Sequence, residues 1–282
     1  MRMEGKVAIV AGAAWGGIGA ASALALAREG ARVVVNTRSN VEKLDETLKR
    51  IEEAGGQAIA VPGDASKDAT WNKLVETALS RFGRLTTLVY NPAKYCFRPV
   101  ADITREQWDE TLEISLTGAW IAAKHCLPEM VKGGGGSVVF VSSVNGSITN
   151  PHFGAYSAAK AGLNALTRSI ALDYGSYGIR ANAVAPGSVV GERSRARLEA
   201  DVLEDSLSKD CYPLRRYGRP EEIGAVVLFL ASDESSFVTG IVLTADGGLT
   251  IQSPEALVKP SFRRKWRDDI LIPSTRAGVA GS

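Results

Sequence analysis

Apolar residues along this chain fall into short continuous runs separated by longer helical stretches, as expected for strands buried on both faces of a parallel sheet. KVAIVAG (residues 6–12) predicts a first strand. A glycine cluster follows (Gly12, Gly16, Gly17, Gly19), then AASALALAREGA, an Ala- and Leu-rich helix closing at Gly30. RVVVN (Arg32 to Asn36) is a second strand, and Val41 to Ala54 a helix with Leu44, Leu48 and Ile51 on one face. The alternation continues through QAIAV, a helix from Lys67 to Phe82, LTTLVY, and a long helical region from Thr104 to Lys132 that opens on a capping box, TREQ. SVVFVSS, the helix GAYSAAKAGLNALTRSIALDYG, GIRANAVAPG, a helix from Glu221 to Ser232 and IVLTADGG complete it. The pattern predicts an α/β fold, a Rossmann-like doubly wound parallel sheet of seven strands with helices on both faces.

No linker or internal repeat breaks this pattern before about residue 250, so the 282 residues read as a single domain (1–250) with a C-terminal extension (251–282). A net charge of +2 gives no reason to expect nucleic acid or an anionic membrane as partner. Cys96, Cys126 and Cys211 are widely spaced and, with only His125 and His152, suggest no metal site. No stretch approaches a membrane span, and the glycine-interrupted first run belongs to the fold rather than to a signal peptide; the expected location is cytoplasmic. The tail carries a basic–aromatic run, FRRKWR, expected to pack on a neighbouring subunit or to fray.

The strand–glycine turn–helix–strand order supplies a place for a pyrophosphate: glycines let the backbone approach it, and the helix N-terminus offers free N–H groups. Tyr156 and Lys160, four residues apart, share one helix face, thirteen residues beyond Ser143 at a strand's carboxyl end. An ammonium beside a phenol favours the phenolate, so the pair is expected to lower the phenol's pKa and make Tyr156 an acid/base. Taken alone, Tyr-x-x-x-Lys is most often an ordinary helix face and Ser143 more often than not an ordinary strand-end serine; their order and the glycine turn give them chemical meaning.

With these motifs the chain resembles the single-domain short-chain dehydrogenases/reductases over roughly residues 5–250. The family's Thr-Gly-x-x-x-Gly-Ile-Gly is here Ala11-Gly12-Ala13-Ala14-Trp15-Gly16-Gly17-Ile18-Gly19, one residue longer. Its Asn-Asn-Ala-Gly is here Tyr90-Asn91-Pro92-Ala93, and its active-site asparagine is Ser115. The resemblance implies hydride transfer between a nicotinamide cofactor and a ketone/alcohol pair, with Ser143, Tyr156, Lys160 and Ser115 as the catalytic set. Ser143 would grip the substrate oxygen, Lys160 would hold the nicotinamide ribose, and the Ser115 backbone carbonyl would take part in a proton relay. It places the cofactor on Gly12, Trp15, Gly16, Gly17, Ile18, Gly19, Thr37, Arg38, Asp64, Ala65, Asn91, Tyr156, Lys160, Pro186, Gly187 and Val189. Gly191 stands where the family often has Thr.

The position that is acidic in NAD-selective members is Thr37, followed by Arg38, which suits a 2′-phosphate; NADP is the preferred cofactor and NAD the alternative. Tyr95, Phe153 and Tyr212, joined by Phe97 and Val144, are expected to line an apolar substrate pocket, with Asn145 and His152 as polar groups. The PHF segment and ADGGLT ending resemble the family's sugar dehydrogenases. The charged stretch from Ser188 to Tyr217 is read either as a substrate lid or as a solvated surface helix. Enoyl reductases share the fold, but they place more residues between Tyr and Lys. A nucleotide-binding sensor without turnover is the other reading, favoured by the altered Asn motif and Ser115. The family resemblance implies a homotetramer.

Overall fold

The computed structural model describes residues 1–191, 205, 208–259, 261 and 262. Its strands are β1 (Val7–Ala11), β2 (Arg32–Asn36), β3 (Gln57–Ala60), β4 (Thr87–Tyr90), β5 (Gly136–Val141), β6 (Ile179–Pro186) and β7 (Val242–Ala245). All pair in parallel in one sheet of order β3-β2-β1-β4-β5-β6-β7. The connections reverse direction between β1 and β4, the switch point at which open α/β sheets hold ligands. Register pairs Ala11 with Tyr90 and Tyr90 with Phe140, so Gly12, Asn91 and the end of β5 leave the sheet side by side.

Both faces are covered, which explains the continuous apolar strands. Helices α1 (Ile18–Arg28), α2 (Val41–Glu53) and α7 (Pro220–Ala231) bury Leu26, Leu44, Ile51 and Val227 against Val10, Val33, Val35 and Val184. Helices α3 (Asp68–Phe82), α5 (Gly118–Lys132) and α6 (Gly154–Tyr174) bury Trp71, Leu74, Met130 and Leu163 against Ile9, Leu88, Val138 and Phe140 on the other. α4 (Arg105–Leu112) begins at the predicted capping box between Thr104 and Gln107. A short helix, α8 (Pro254–Val258), follows the last strand.

The helical region expected from Thr104 to Lys132 is not uniform. Glu113–Thr117 forms a π-turn between α4 and α5. Two side-chain hydrogen bonds act on it: the Tyr90 hydroxyl donates to the Ile114 carbonyl at 2.6 Å, and the Ser115 hydroxyl accepts from the Lys94 N–H at 2.9 Å. Such single widened turns occur where a helix is pulled out of its regular ladder. The middle of the charged stretch read as a lid or a surface helix (192–204, 206 and 207) lies outside the described residues, as does the tail's basic run beyond Phe262. Among the described residues no helix is long and apolar enough to cross a membrane.

Candidate active site

The carboxyl ends of β1, β2 and β4 open onto a cleft of about 410 Å³. Its floor is the glycine turn. Gly12 has φ +76°, and a Cβ there would lie 3.1 Å from both the Asn91 side-chain nitrogen and the Pro92 backbone nitrogen. The Asn91 amide ties the two strand ends together by donating to the Gly12 carbonyl at 2.9 Å. Gly17 caps α1 with no side-chain hydrogen bond, which leaves the first-turn N–H groups of the helix to a ligand. A Cβ on Gly17 would meet only the Ala14 carbonyl, at 3.7 Å; the space above it is open cleft. These features fit a pyrophosphate.

The extra residue of the turn is absorbed away from the cleft. The Trp15 N–H donates to the Lys43 carbonyl at 2.9 Å, and its indole carries the Arg50 guanidinium 5.4 Å from the ring centre. Trp15 therefore anchors the turn on α2 and does not line the cleft, unlike Gly12, Gly16, Gly17 and Ile18. On the far side, a Cβ at Gly191 would lie 2.0 Å from the Gly16 carbonyl oxygen. The lengthened turn leaves no room for the Thr that the family often has there.

At the other end of the cleft stand Thr37, Arg38, Asp64 and Ala65. Burial works against the charge on Asp64, but hydrogen bonds from the Ser66 N–H (2.9 Å) and hydroxyl (2.8 Å) outweigh it and hold the carboxyl below its ordinary range. The Arg38 guanidinium lies 3.7 Å from the same carboxylate, both partly exposed. These are polar groups that could hold a ribose and an adenine, and no carboxylate stands at the end of β2 itself. Gly191 lines the cleft as well; Ser39, Ser66 and Lys94 also line it and were not anticipated. Ser66 had a signal, since Asp two residues before Ser is a common local turn.

Ser143, Tyr156 and Lys160 come together beside this cleft. Ser143, at the end of β5, accepts from the Asn145 N–H at 3.2 Å, which leaves its own hydrogen to donate. Tyr156 and Lys160 lie one turn apart on the buried face of α6. The Lys160 ammonium is 5.6 Å from the Tyr156 ring centre and donates to the Val141 carbonyl at 2.7 Å. Burial pushes the Tyr156 phenol well above 10, the neighbouring Tyr95 adds to this, and the Ser143 hydrogen bond pulls it down. Burial also pushes Lys160 down to about 7. The expected lowering of the phenol by its lysine is thus reversed in the chain on its own: desolvation outweighs a cation held above the ring and bonded elsewhere.

Ser115 is fully buried, but its hydroxyl is occupied by the Lys94 backbone. On the substrate side, Tyr95 packs on Tyr156 with ring centres 4.5 Å apart, and Phe153 meets Tyr156 edge-on at 6.0 Å. Phe97 stacks on Tyr95 at 5.8 Å. Asn145 borders Ser143, while His152 is exposed, at φ +69°, in the turn before α6. Tyr212 departs from the expected pocket wall. It is buried, and its hydroxyl accepts from the Ser188 N–H at 3.1 Å, so it props the Pro186-Gly187 turn from behind. Pro186 and Gly187 stay at the end of β6, and Val189 alone of that turn's expected contacts reaches the cleft. Gly19, one residue into α1, packs against the Gly12 carbonyl.

Comparison with known proteins agrees with this fold. A family model described as enoyl-(acyl carrier protein) reductase matches residues 12–250. Glucose 1-dehydrogenase 2 of Bacillus subtilis is 36% identical over 88% of this chain and 96% of its own length. A 3β-hydroxysteroid dehydrogenase of Eggerthella lenta is also 36% identical, over 88% of this chain and 95% of its own. A crystal structure assigned to the short-chain dehydrogenases/reductases, from Burkholderia xenovorans, superposes with a TM-score of 0.84 at 31% identity, covering 89% of this chain and 99% of that one.

Proposed function

The chain belongs to the short-chain dehydrogenase/reductase family and is an NAD(P)-dependent oxidoreductase, and from that premise we propose that it interconverts a secondary alcohol and a ketone. The observation that carries this reading is the gathering of Ser143, at the end of β5, with Tyr156 and Lys160, one turn apart on the buried face of α6. A bound nicotinamide supplies or takes the hydride. The chain's own residues manage the oxygen and its proton. Tyr156 gives its proton to the carbonyl oxygen in reduction and takes the alcohol's proton in oxidation. Ser143 donates to the same oxygen and stabilises the charge developing there. Lys160 would hold the nicotinamide ribose, the α1 N-terminus the pyrophosphate, and Asp64 the adenine.

NADP is the preferred cofactor. Thr37 and Arg38 occupy the place where a carboxylate would reject a 2′-phosphate, and the guanidinium is partly exposed. The rings of Tyr95, Phe97 and Phe153 beside Tyr156 support an apolar or aromatic substrate. Relatives named for glucose and for a 3β-hydroxysteroid place a sugar and a bulky apolar alcohol beside aromatic ketones on the panel to be tested. A cytoplasmic homotetramer is part of the same reading. The test is a panel of ketones and secondary alcohols run with NADPH, NADH and their oxidised forms. Tight dinucleotide binding with no turnover on any member would favour the sensor reading instead.

A further inference from the structure

Asn164 lies on α6 one turn beyond Lys160 and is 5% exposed; Ser142, the neighbour of Ser143, is 3% exposed. The Ser142 hydroxyl donates to the Asn164 Oδ1 at 2.6 Å and lies 3.4 Å from the Lys160 carbonyl oxygen. The peptide unit before Ser142 is held at both of its polar atoms. The Val141 carbonyl accepts from the Lys160 ammonium at 2.7 Å, and the Ser142 N–H donates to the Val184 carbonyl at 2.7 Å. Past Ser143 the chain turns back, the Gly146 N–H donating to the Ser143 carbonyl at 2.9 Å. A Cβ on Gly146 would stand 2.6 Å from the Asn164 Nδ2 and 3.1 Å from the Lys160 carbonyl oxygen, so this turn closes directly onto α6. The Asn164 side chain therefore meets the chain on both sides of Ser143.

We propose that Ser142 and Asn164 are positioning residues for the reaction, a buried pair that fixes where the Ser143 hydroxyl stands relative to Tyr156 and Lys160. The inference rests on the ketone/alcohol reading above. Burying a hydroxyl and an amide is unfavourable unless they pair, and the pair adds little stability over apolar residues of the same shape. What it adds is direction: a satisfied buried hydrogen bond holds two elements in one arrangement. Here those elements are the end of β5, which carries Ser143, and α6, which carries Tyr156 and Lys160. Both hydroxyls must reach one substrate oxygen, and a misplacement of about 1 Å can cost about 10²-fold in rate.

The test compares Ser142→Ala, Ser142→Thr, Asn164→Leu and the double variant Ser142→Ala/Asn164→Leu with the wild-type chain, on a substrate found by the panel, with thermal melts of the same samples. Ser142→Ala and Asn164→Leu each leave a buried partner unpaired and should lower the melting temperature. The double variant removes both polar groups and should regain most of it. Turnover should not follow. In all three, kcat is expected to fall at least about tenfold with KM within about threefold. Ser142→Thr, which keeps the donor, should recover most of kcat. A kcat near the wild-type value in the double variant, or one that tracks the melting temperature across the set, would overturn the role of the pair. So would a loss confined to KM, or a Ser142→Thr no faster than Ser142→Ala. Any of these, with Tyr156→Phe inactive, leaves the ketone/alcohol reading standing. If a single variant does not fold, the double variant decides. A wild-type chain inert on the whole panel would overturn both.

Discussion

The Lys160 ammonium gives its hydrogen bond to the Val141 carbonyl, at 2.7 Å, while standing 5.6 Å from the centre of the Tyr156 ring. The two side chains share a helix face as their spacing requires, yet in the chain alone they are two buried groups, each pushed towards its neutral form.

This arrangement predicts a pH-dependent stability. Below about pH 7 Lys160 is charged in the native and unfolded chains, and the native state bears the cost of burying it. Between about 7 and 10.5 the native lysine loses its proton while the unfolded one keeps it. Unfolding then takes up a proton, so stability rises with pH, by up to about 1.4 kcal/mol per pH unit. Without dinucleotide, the melting temperature of the wild-type chain should gain on that of Lys160→Met from pH 7 to 9. A constant difference between the two would refute the depressed lysine.

A second prediction concerns the π-turn. A Cβ at Gly118 would stand 2.2 Å from the Tyr90 hydroxyl oxygen, the same hydroxyl that donates to Ile114. Gly118→Ala should cost about 1–3 kcal/mol from overpacking. Tyr90→Phe should cost about 1–3 kcal/mol from the carbonyl left without its donor. The double variant removes the clash as well, so it should be less destabilised than the sum, which urea unfolding of the four chains would show.

Much of this fold is legible in the sequence because its strands are buried on both faces and so read as unbroken apolar runs, as in Val7–Ala11. The i, i+4 spacing of Tyr156 and Lys160 likewise fixes their common face, and the glycine cluster marks the turn that floors the cleft. What was not legible depends on partners distant in sequence. The break at Glu113–Thr117 is directed by Tyr90, at the end of β4, and by Lys94 in the segment after it. Tyr212 carries no mark in its own segment to say that its hydroxyl serves Ser188 rather than a substrate. The direction of the Tyr156 shift turns on how much protein surrounds it, which spacing does not encode.

Cofactor choice gives a third prediction. Arg38 and Asp64 are 3.7 Å apart and partly exposed, an ion pair of small worth to stability. Arg38→Ala should therefore leave the melting temperature nearly unchanged. It should weaken NADPH binding about 10- to 100-fold, the value of a charge-assisted contact to phosphate, and NADH binding less than about threefold. Equal losses for both cofactors in fluorescence titrations would contradict the assignment of Arg38 to the 2′-phosphate.

A fourth prediction follows from the lengthened glycine turn. With the Gly16 carbonyl 2.0 Å from where a Gly191 Cβ would be, Gly191→Thr forces the two sides of the cleft apart. The added hydroxyl, which the family often has here, should weaken dinucleotide binding in this chain about tenfold or more, and Gly191→Ala should do the same through its Cβ alone. Improved binding in Gly191→Thr would show that the turn and Gly191 are not matched.

The most direct measurement is turnover by Tyr156→Phe beside the wild-type chain, with NADPH binding followed on the same samples. The change removes one oxygen from a buried ring and leaves the cleft intact. NADPH should bind both chains within about threefold, while ketone reduction by the variant falls about 10²- to 10⁴-fold, the contribution of a positioned general acid. A variant that reduces ketones at the wild-type rate would contradict the account.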